Sequence, residues 1–344
     1  MEILNPLIDY RWNDLVASHP RASAFHQRGW LEALARTYGY EPFVLTTNSA
    51  SETLRSAVLV CRVSSWITGK RLVCLPFADH CEPLLDDIGE LPQFVYWLRK
   101  ECQLQGYEYM ELRLLSRLQD LGCGLRPSHS YCFHELDIRS SLEQIFERLH
   151  KDCIQRKIRR AERERLDYEL GRSDQFVTEF FQLLLMTRRR HQLPPQPRLW
   201  FRNLVKCMGG NIEIRFARKN GVPIAAILTL KHRASVIYKY GCSNDKFHNL
   251  GAMPFLFWRL IEESKASGLE RIDFGRSDLD NSGLITFKDR LGATRKPLTY
   301  YRYPGAEKDG IGTERGSRTI RQIFSILPNA VLSTAGRLLY RHIG

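Results

Sequence analysis

The chain has 344 residues, of which 43% are apolar and 26% are charged, and its formal net charge is +13. This length fits two globular domains, and the composition excludes a disordered, collagen-like or disulfide-knotted protein. The apolar runs fall far short of the roughly 20 residues that a membrane span needs. The N-terminus lacks the pattern of a signal peptide, and the nine scattered cysteines form no Cys-x-x-Cys pair, so the sequence predicts a cytoplasmic protein without a metal site.

Residues 1–140 show the alternation of a mixed α/β domain. The predicted elements are a helix at 30–38, strands at 42–47, 57–63 and 71–75, a helix at 91–105 and a strand at 107–114. A loop containing Pro76 and Pro83 separates the third strand from the second helix.

A strongly basic segment follows. Ser140 with Glu143 predicts a capping box for a short helix that ends near 151, and Asp152 with Gln155 predicts the start of a second helix over 152–165. Four arginines fall on the side of this second helix opposite its apolar stripe: Arg156, Arg159, Arg160 and Arg163. This face is either a solvated surface or a binding face for phosphate or nucleic acid.

The second half repeats the order of the first. The predicted elements are a helix at 175–190, a proline-rich loop at 193–197, strands at 212–218, 223–231 and 235–240, a helix at 252–267 and a strand at 269–274. Asn220-Gly221 predicts a tight hairpin between the first two of these strands. Gly106 and Gly268 each end a helix and precede an acidic strand residue by five positions, which indicates two copies of one mixed, largely antiparallel domain.

The positive charge is concentrated in the second half of the chain. Residues 1–140 carry 14 basic and 17 acidic groups, residues 141–304 carry 31 and 18, and residues 305–344 carry 6 and 3. Such a field favours a polyanionic partner, which is a nucleic acid, a phosphate-bearing small molecule or an anionic lipid surface.

The densest motif follows the last predicted strand. It consists of Asp273-Phe-Gly-Arg-Ser, then Gly283-x-x-x-Phe-Lys ending at Lys288, then Gly292 and Leu298-x-Tyr-x-x-Tyr. The first part places a carboxylate and a guanidinium at the end of a strand, where Gly275 permits a bulge or a close ligand approach.

These motifs resemble the FemAB-like proteins, a group also called BioF2-like or CelD-like acetyltransferases. Three further segments share the resemblance: the basic helix from Lys151, the run Arg189-Arg190-His191 with Pro194-Pro195, and the loop Leu75-Pro-Phe-Ala-Asp. The resemblance covers most of residues 20–304. It implies an α/β fold of two tandem GNAT-like domains, at 1–140 and 141–304, followed by a linker and amphipathic tail at 305–344.

The resemblance also implies an acyl or aminoacyl transferase. Fem enzymes move an aminoacyl group from a charged tRNA to an amine of a peptidoglycan precursor, and the CelD-like members acylate an amine or hydroxyl in envelope polysaccharide assembly. Lys288 matches the lysine that stabilises the developing oxyanion in Fem enzymes, although a surface lysine is the alternative interpretation. Asp273 and Arg276 are expected beside it, as acid, base or acceptor-orienting groups. The alternative for Asp273 is a structural role, in which it caps the following loop or pairs with Arg276.

The remaining candidate residues are assigned to substrate binding. Tyr238 and Tyr240 alternate on a strand and are expected on one face, either lining the acceptor site or packing in the core. His191 is either a general base or a surface residue. The full predicted substrate set is Tyr238, Tyr240, Asp79, His191, Phe287 and Ser277.

The sequence also bears on the acyl donor. An acetyl-CoA GNAT usually presents Arg/Gln-x-x-Gly-x-Gly/Ala before a helix, and residues 248–253 match that pattern only at Gly251. The departure favours aminoacyl-tRNA or an acyl carrier protein over acyl-CoA as co-substrate, with no tightly bound cofactor. The alternatives are an acyl-CoA-dependent N-acetyltransferase in exopolysaccharide biosynthesis and a non-catalytic RNA-binding or envelope-scaffold protein.

The tail has two apolar segments broken by Pro328, with arginines among them. It is expected to dock on the second domain, with the anionic inner face of the membrane as the alternative. The second arrangement suits a lipid-linked saccharide acceptor.

Overall fold

The computed structural model describes residues 1–115, 123–304 and 329–343. The chain forms two units. Unit 1 comprises Met1–Cys132, Pro297–Gly310 and Leu338–Gly344, and unit 2 comprises Phe133–Lys296 and Ile311–Arg337. The sequence analysis places the domain boundary after residue 140. In the structure, unit 2 begins at Phe133, and residues 297–304 belong to unit 1.

The described part of the chain contains both helices and strands throughout its length. The strands are β1 (Glu2–Leu4), β2 (Glu41–Thr46), β3 (Ala57–Ser65), β4 (Gly69–Val73), β5 (Tyr109–Leu114), β6 (Arg126–Asp137), β7 (Asp167–Gly171), β8 (Ile212–Lys219), β9 (Val222–His232), β10 (Ser235–Ser243), β11 (Arg271–Asp278) and β12 (Thr294–Tyr303). The helices are α1 (Tyr10–Ser18), α2 (Arg28–Tyr38), α3 (Leu91–Gln105), α4 (Leu142–Arg148), α5 (Arg156–Arg163), α6 (Asp174–Arg190), α7 (Arg198–Met208), α8 (Ala252–Ala266), α9 (Ser282–Arg290) and α10 (Asn329–Ile343).

The sheet of unit 1 has the order β1-β2-β3-β4-β5-β12. The pairings from β1 to β4 are antiparallel, and β4 then pairs with β5 in parallel over only three residues, Arg71 to Val73. Helix α3 makes the crossover between these two strands and ends at Gly106, which has a left-handed φ of 66°. The part of β12 from Thr299 onward lies antiparallel to β5.

Unit 2 repeats this plan, with the order β6-β11-β10-β9-β8-β7. The pairings from β7 to β10 are antiparallel, and Asn220 and Gly221 both have positive φ, as the predicted hairpin requires. Strand β10 pairs with β11 in parallel, again over three residues, Ser235 to Ile237. The predicted fold class, α/β with mixed and largely antiparallel sheets in a duplicated plan, is confirmed.

Helix α8 lies in the core of unit 2. Its apolar residues occur all around the helix rather than on one stripe, because both of its sides are covered. The core residues that it contributes include Phe255, Leu256, Phe257, Leu260 and Ile261, and α5 packs against it through Ile158 and Ala161.

The helix starts predicted at 140 and 152 are wrong. The cap of α4 is Ser141, whose Oγ accepts from the backbone N–H of Gln144 while the Gln144 side chain accepts from the N–H of Ser141. A single π turn over Lys151–Gln155, capped by His150, precedes α5. The predicted N-caps lie one residue before and two residues after the observed ones. Several adjacent polar residues can each serve as an N-cap, so the sequence pattern does not select one of them.

The elements that the sequence did not predict are β1, α1, β6, β7, α7, α9 and β12. Helix α7 illustrates the reason. It follows the proline-rich loop directly, with Pro197 as its N-cap, and its buried residues Trp200, Phe201 and Leu204 form a helical stripe that the run of prolines obscured.

The described part of the tail, helix α10, is divided between the two units, with residues up to Arg337 in unit 2 and residues from Leu338 onward in unit 1. Tyr40 Oη donates to the backbone oxygens of Tyr340 and Arg341, at 3.0 and 3.1 Å, so the last turn of α10 is held within unit 1. In unit 2, Gly336 approaches the backbone oxygen of Pro195 so closely that a Cβ would lie 1.9 Å from it. The predicted linker and first tail segment, at 305–328, lie outside the described residues.

Within the described ranges, no helix has the length and apolar character that crossing a membrane requires. All nine cysteines are free thiols.

The start of α8 lies against the backbone of α5. Gly251 precedes α8 with a φ of 80°. A Cβ at this position would lie 2.3 Å from the backbone oxygen of Lys157 in α5. Only glycine therefore satisfies both the left-handed conformation and this close backbone approach.

We expect Gly251→Ala to destabilise the protein more than the matched control Gly268→Ala. Both glycines have positive φ, which costs alanine about 1–2 kcal/mol, but a Cβ at Gly268 would meet nothing within 4 Å. Overpacking against Lys157 should cost about 1–3 kcal/mol more, measured as the free energy of unfolding in urea. Equal losses in the two variants would contradict this account of the contact.

Candidate active site

The candidate site lies where β10 and β11 separate. The two strands pair only up to Ile237 and Asp273, and each then continues for several residues without pairing to the other. Strand β10 also carries a bulge at Lys239, because Tyr238 pairs with Thr229 of β9 whereas Tyr240 pairs with Leu228. The divergence leaves backbone groups of both strand edges without a strand partner, so a ligand can insert between them.

The bulge overturns the prediction that Tyr238 and Tyr240 share a face. The ring of Tyr238 packs edge-on against Phe257 of α8, 4.8 Å away, whereas Tyr240 packs against Phe201 of α7, 5.2 Å away. Tyr240 Oη also accepts from Trp200 Nε1 at 3.0 Å. A second acceptor bond, from Gln196, makes Tyr240 a buried packing residue, and one extra residue in the strand is the cause.

The predicted catalytic motif converges at the end of β11. Asp273 is buried, and its Oδ1 accepts from the N–H of Gly275 at 2.6 Å. Gly275 has a left-handed φ of 68°, so the strand bends there. Lys288 reaches this bend from the last turn of α9, and its Nζ donates to the backbone oxygens of Gly275 at 3.1 Å and Arg276 at 3.0 Å.

Lys288 is not a surface lysine, since only 2% of it is exposed. A buried ammonium must be hydrogen-bonded, and the two carbonyl groups of the bent strand satisfy this requirement. The arrangement fixes a positive charge directly beneath the end of β11.

A buried histidine that the sequence analysis missed lies next to Lys288. His134 of β6 is completely buried, and its Nε2 lies 3.3 Å from Oδ1 of Asp289. Asp289 also accepts from Arg295 Nε at 2.6 Å. Burial lowers the pKa of His134, and the charge of Lys288 lowers it further, whereas the Asp289 hydrogen bond raises it. No local motif identifies His134 as a site residue, because it lies 154 positions before Lys288 in the sequence.

Three polar side chains around the separating strands have no hydrogen-bond partner among the described residues. Ser277 Oγ of β11 is buried and unpaired. The hydroxyl of Tyr238 is the second, and it lies so close to Gly241 that a Cβ there would be 2.0 Å away. The third is the partly buried guanidinium of Arg188 at the end of α6. Burial raises the pKa of Tyr238, and the positive charge of Arg188 opposes this rise.

The remaining predicted substrate residues occupy different settings. Phe287 is partly buried against Phe257, at 5.7 Å between ring centroids. His191 lies at the surface just beyond α6. Partial desolvation of its ring lowers its pKa, and the positive charges of Arg190 and Arg188 lower it further. Asp79 belongs to unit 1, is partly buried, and accepts at its backbone oxygen from Tyr300 Oη at 2.7 Å.

The duplicated position in unit 1 has a different chemistry. Glu111 matches Asp273, since each is the last residue of its parallel pairing. Arg113 and Arg302 both bind the Glu111 carboxylate, at 2.9 and 2.7 Å. Although burial raises the pKa of Glu111, these two cations hold it below its usual value.

The predicted carrier-binding arginines are exposed on α5, as the periodicity predicted. Arg156, Arg159, Arg160 and Arg163 are all at the surface. Arg156 lies 3.9 Å from Asp152 and Arg160 lies 3.2 Å from Glu164, while Arg159 lies over the ring of Phe146.

A cavity of about 330 Å³ lies elsewhere in unit 2, near Arg215, Lys231 and Glu263. Its buried Arg215 is neutralised by Glu213 and Glu263, and none of the predicted site residues lines it. In the part of the chain that the structure describes, no cluster of three His, Cys, Asp or Glu side chains could hold a metal ion.

Comparison with protein families matches residues 150–288 to an acetyltransferase (GNAT) domain. The match contains the basic helix, the separating strands β10 and β11, and Lys288. No curated protein matches the chain.

The solved structures that share the fold include the following three. FemX is 12% identical, with 88% of this chain and 97% of that chain covered and a TM-score of 0.69. A tandem GNAT protein from the clavulanic acid biosynthesis pathway is 13% identical, with 89% and 99% covered and a TM-score of 0.55. L-PGS from Bacillus licheniformis is also 13% identical, with 100% of each chain covered and a TM-score of 0.55. The predicted fold of two tandem GNAT-like domains is confirmed.

The low pKa of His134 predicts a pH-dependent stability. The unfolded chain protonates this histidine as the pH falls through about 6.5, whereas the folded protein does not, so stability is lost on acidification. We expect the free energy of unfolding to fall from about pH 7.5 to about pH 5.5, and His134→Gln to reduce that fall relative to the surface control His150→Asn, at an exposed position where asparagine can keep the N-cap. Urea denaturation at the two pH values measures it, and an unchanged pH dependence in His134→Gln would refute the prediction.

Proposed function

We propose that this acyltransferase, a protein of FemAB-like tandem GNAT fold, transfers an acyl or aminoacyl group to an amine or hydroxyl of a cell-envelope precursor or polysaccharide. The observation that carries the proposal is the opening between β10 and β11, with unpartnered donors on β10 and α6 and a fixed cation beneath β11. Unpaired donors and a buried charge in a partly dehydrated opening suit a reaction in which negative charge develops on an acyl oxygen.

The proposed reaction is an attack by the acceptor amine or hydroxyl on the acyl carbonyl. The acceptor nitrogen or oxygen forms a bond to the carbonyl carbon, and the carbonyl oxygen gains negative charge. The carbonyl then re-forms as the bond from the acyl carbon to the oxygen or sulfur of the carrier breaks, and the proton lost by the acceptor ends on the carrier, which leaves as an alcohol or thiol. Lys288 supplies the fixed positive charge that stabilises the oxyanion. The Arg188 side chain has no hydrogen-bond partner among the described residues, and it donates directly to the same oxygen. Asp273 and Arg276 orient the acceptor, and Tyr238 and Ser277 line its site.

The start of α8 supports a donor other than acyl-CoA. A GNAT-type pyrophosphate site needs free backbone N–H groups at a helix N-terminus. Here Pro254 has no N–H, the N–H of Phe255 bonds to the oxygen of Gly251, and α5 covers Gly251. At most the N–H groups of Ala252 and Met253 remain for a phosphate.

The exposed arginines of α5 support an anionic macromolecular carrier, which is a tRNA or an acyl carrier protein. This helix lies against the start of α8, so its charge is next to the site at which a CoA pyrophosphate would otherwise bind. A guanidinium row binds phosphates or carboxylates without requiring a formed pocket. We propose aminoacyl-tRNA first, with acyl carrier protein and acyl-CoA as the alternatives that the experiments separate.

A small-molecule or lipid-linked saccharide is the proposed acceptor, in the cytoplasm and at the inner face of the membrane where such precursors are assembled. A non-catalytic RNA-binding or envelope-scaffold protein is the competing proposal, because it would retain the basic face without needing Arg188 or Lys288.

Replacing the four arginines of α5 by alanine is expected to weaken tRNA binding and to flatten its salt dependence. If each arginine contacts one phosphate, the slope of log K against log salt should fall by about 3 to 4. Filter binding over a salt series measures this slope, first for bulk tRNA and then for charged against uncharged tRNA.

The control removes four other exposed basic groups of unit 2, by Arg172→Ala, Arg198→Ala, Arg202→Ala and Lys206→Ala. It has the same change in net charge and should bind nearly as the unaltered protein does. If the two quadruple variants weaken binding equally, or if the unaltered protein does not bind tRNA near physiological salt, the tRNA donor is refuted, and acyl carrier protein and acyl-CoA are tested next.

Arg188→Gln is expected to lower the transfer rate by about 10²- to 10³-fold, because it removes a donor to the oxyanion. The assay follows a labelled acyl group from each of the three donors to an amine acceptor. Arg202→Gln is the control, since Arg202 pairs with Asp174 at the surface. An unchanged rate in Arg188→Gln contradicts the role of Arg188, and the absence of transfer from every donor by the unaltered protein supports the scaffold proposal.

A further inference from the structure

The turn between β3 and β4 exposes two large apolar side chains. Trp66 is 88% exposed and Ile67 is 52% exposed. Of the six tryptophans in the chain, all of which the structure describes, the other five are buried or partly buried. A fully hydrated tryptophan next to a hydrated isoleucine is an apolar surface that a partner is expected to cover.

This turn is fixed to the last turn of α10. Ser65 Oγ lies 2.9 Å from Nδ1 of His342, and Thr68 Oγ1 donates to the backbone oxygen of His342 at 2.7 Å. Arg71 Nη2 donates to the same oxygen at 2.8 Å, and the ring of Trp66 meets the ring of His342 edge-on at 5.5 Å. The turn and the helix end therefore present a single surface of unit 1, to which Leu338 adds a third apolar side chain that is 61% exposed.

The charges of this surface are predominantly positive. Lys70 and Arg341 are exposed beside the apolar side chains. Residues 64–71 and 329–343 contain no aspartate or glutamate. One carboxylate, that of Glu108, lies against Gly69 at the base of the turn. Lysine and arginine around exposed tryptophan and leucine match the boundary between the acyl chains and anionic headgroups of a bilayer.

We propose that Trp66, Ile67 and Leu338 insert into the interfacial layer of an anionic lipid bilayer, with Lys70 and Arg341 contacting its headgroups. The insertion is shallow, on the order of 5–10 Å, because the turn and the helix end are anchored by hydrogen bonds to the body of unit 1. The contact stands apart from the transfer reaction proposed above, since it involves none of the residues around β10 and β11.

The test is flotation of the full-length protein with vesicles of phosphatidylglycerol and phosphatidylethanolamine, compared with phosphatidylcholine vesicles, at about 0.15 M salt. We expect binding to the anionic vesicles and at least about tenfold weaker partition for the double variant Trp66→Ser with Ile67→Ser. Arg341→Gln should weaken binding less, and its effect should disappear at high salt.

The control is Leu104→Ser, which removes an equally exposed apolar side chain, 80% exposed, from another part of unit 1. Its thermal unfolding and that of the double variant should match the unaltered protein, because these side chains are hydrated in the folded state. The proposal is overturned if the unaltered protein does not bind anionic vesicles, if Leu104→Ser loses binding equally, or if the double variant binds as well as the unaltered protein. It is also overturned if light scattering shows a dimer that the double variant abolishes while vesicle binding is absent, since a second copy then covers this surface.

Discussion

The parallel pairing of β10 with β11 stops after three residues, and the candidate site depends on this stop. The bulge at Lys239 turns β10 away on one side, and the positive φ of Gly275 bends β11 on the other. Separated edges have backbone groups that no strand satisfies, so a ligand can supply the missing partners. The bulge also decides which tyrosine is available, because it directs Tyr238 toward α8 and Tyr240 into the packing of α7.

The two units share a parallel pairing of only three residues but differ in the charges at its end. In unit 1 the residue at the end of the parallel pairing is Glu111, and Arg113 and Arg302 neutralise it. In unit 2 the equivalent Asp273 is bound by a backbone N–H, and the nearby cation is the buried Lys288. In unit 1 both cations pair with a carboxylate, whereas the Lys288 ammonium of unit 2 donates to two backbone carbonyl groups of the bent strand. The candidate chemistry is therefore in unit 2, where the GNAT domain match also falls.

Three positively charged surfaces of the molecule are suited to three different kinds of anionic partner. Arg188 is partly buried beside the site and its side chain has no hydrogen-bond partner in the described part of the chain, which suits one small anionic group. The arginine row of α5 is fully exposed and suits an extended carrier. The Trp66 turn combines cations with apolar side chains, which suits a lipid surface. The three surfaces differ in how deeply their cations are buried and in which side chains surround them. The formal net charge of +13 does not distinguish them.

The sequence by itself determined the duplicated α/β plan, the Asn220-Gly221 hairpin, the exposed arginine face and the motif around Lys288, because periodicity, turn residues and local spacing are short-range properties. Only the tertiary structure decided that Lys288 is buried, that His134 lies beside it, and that α10 ends on unit 1. Each of these depends on contacts between residues far apart in the chain, and the bulge at Lys239 depends on the register with β9. Such contacts have no local signature in the sequence. The spacing of Tyr238 and Tyr240 therefore predicted that both lie on one face of the strand, whereas the extra residue of the bulge places them on opposite faces.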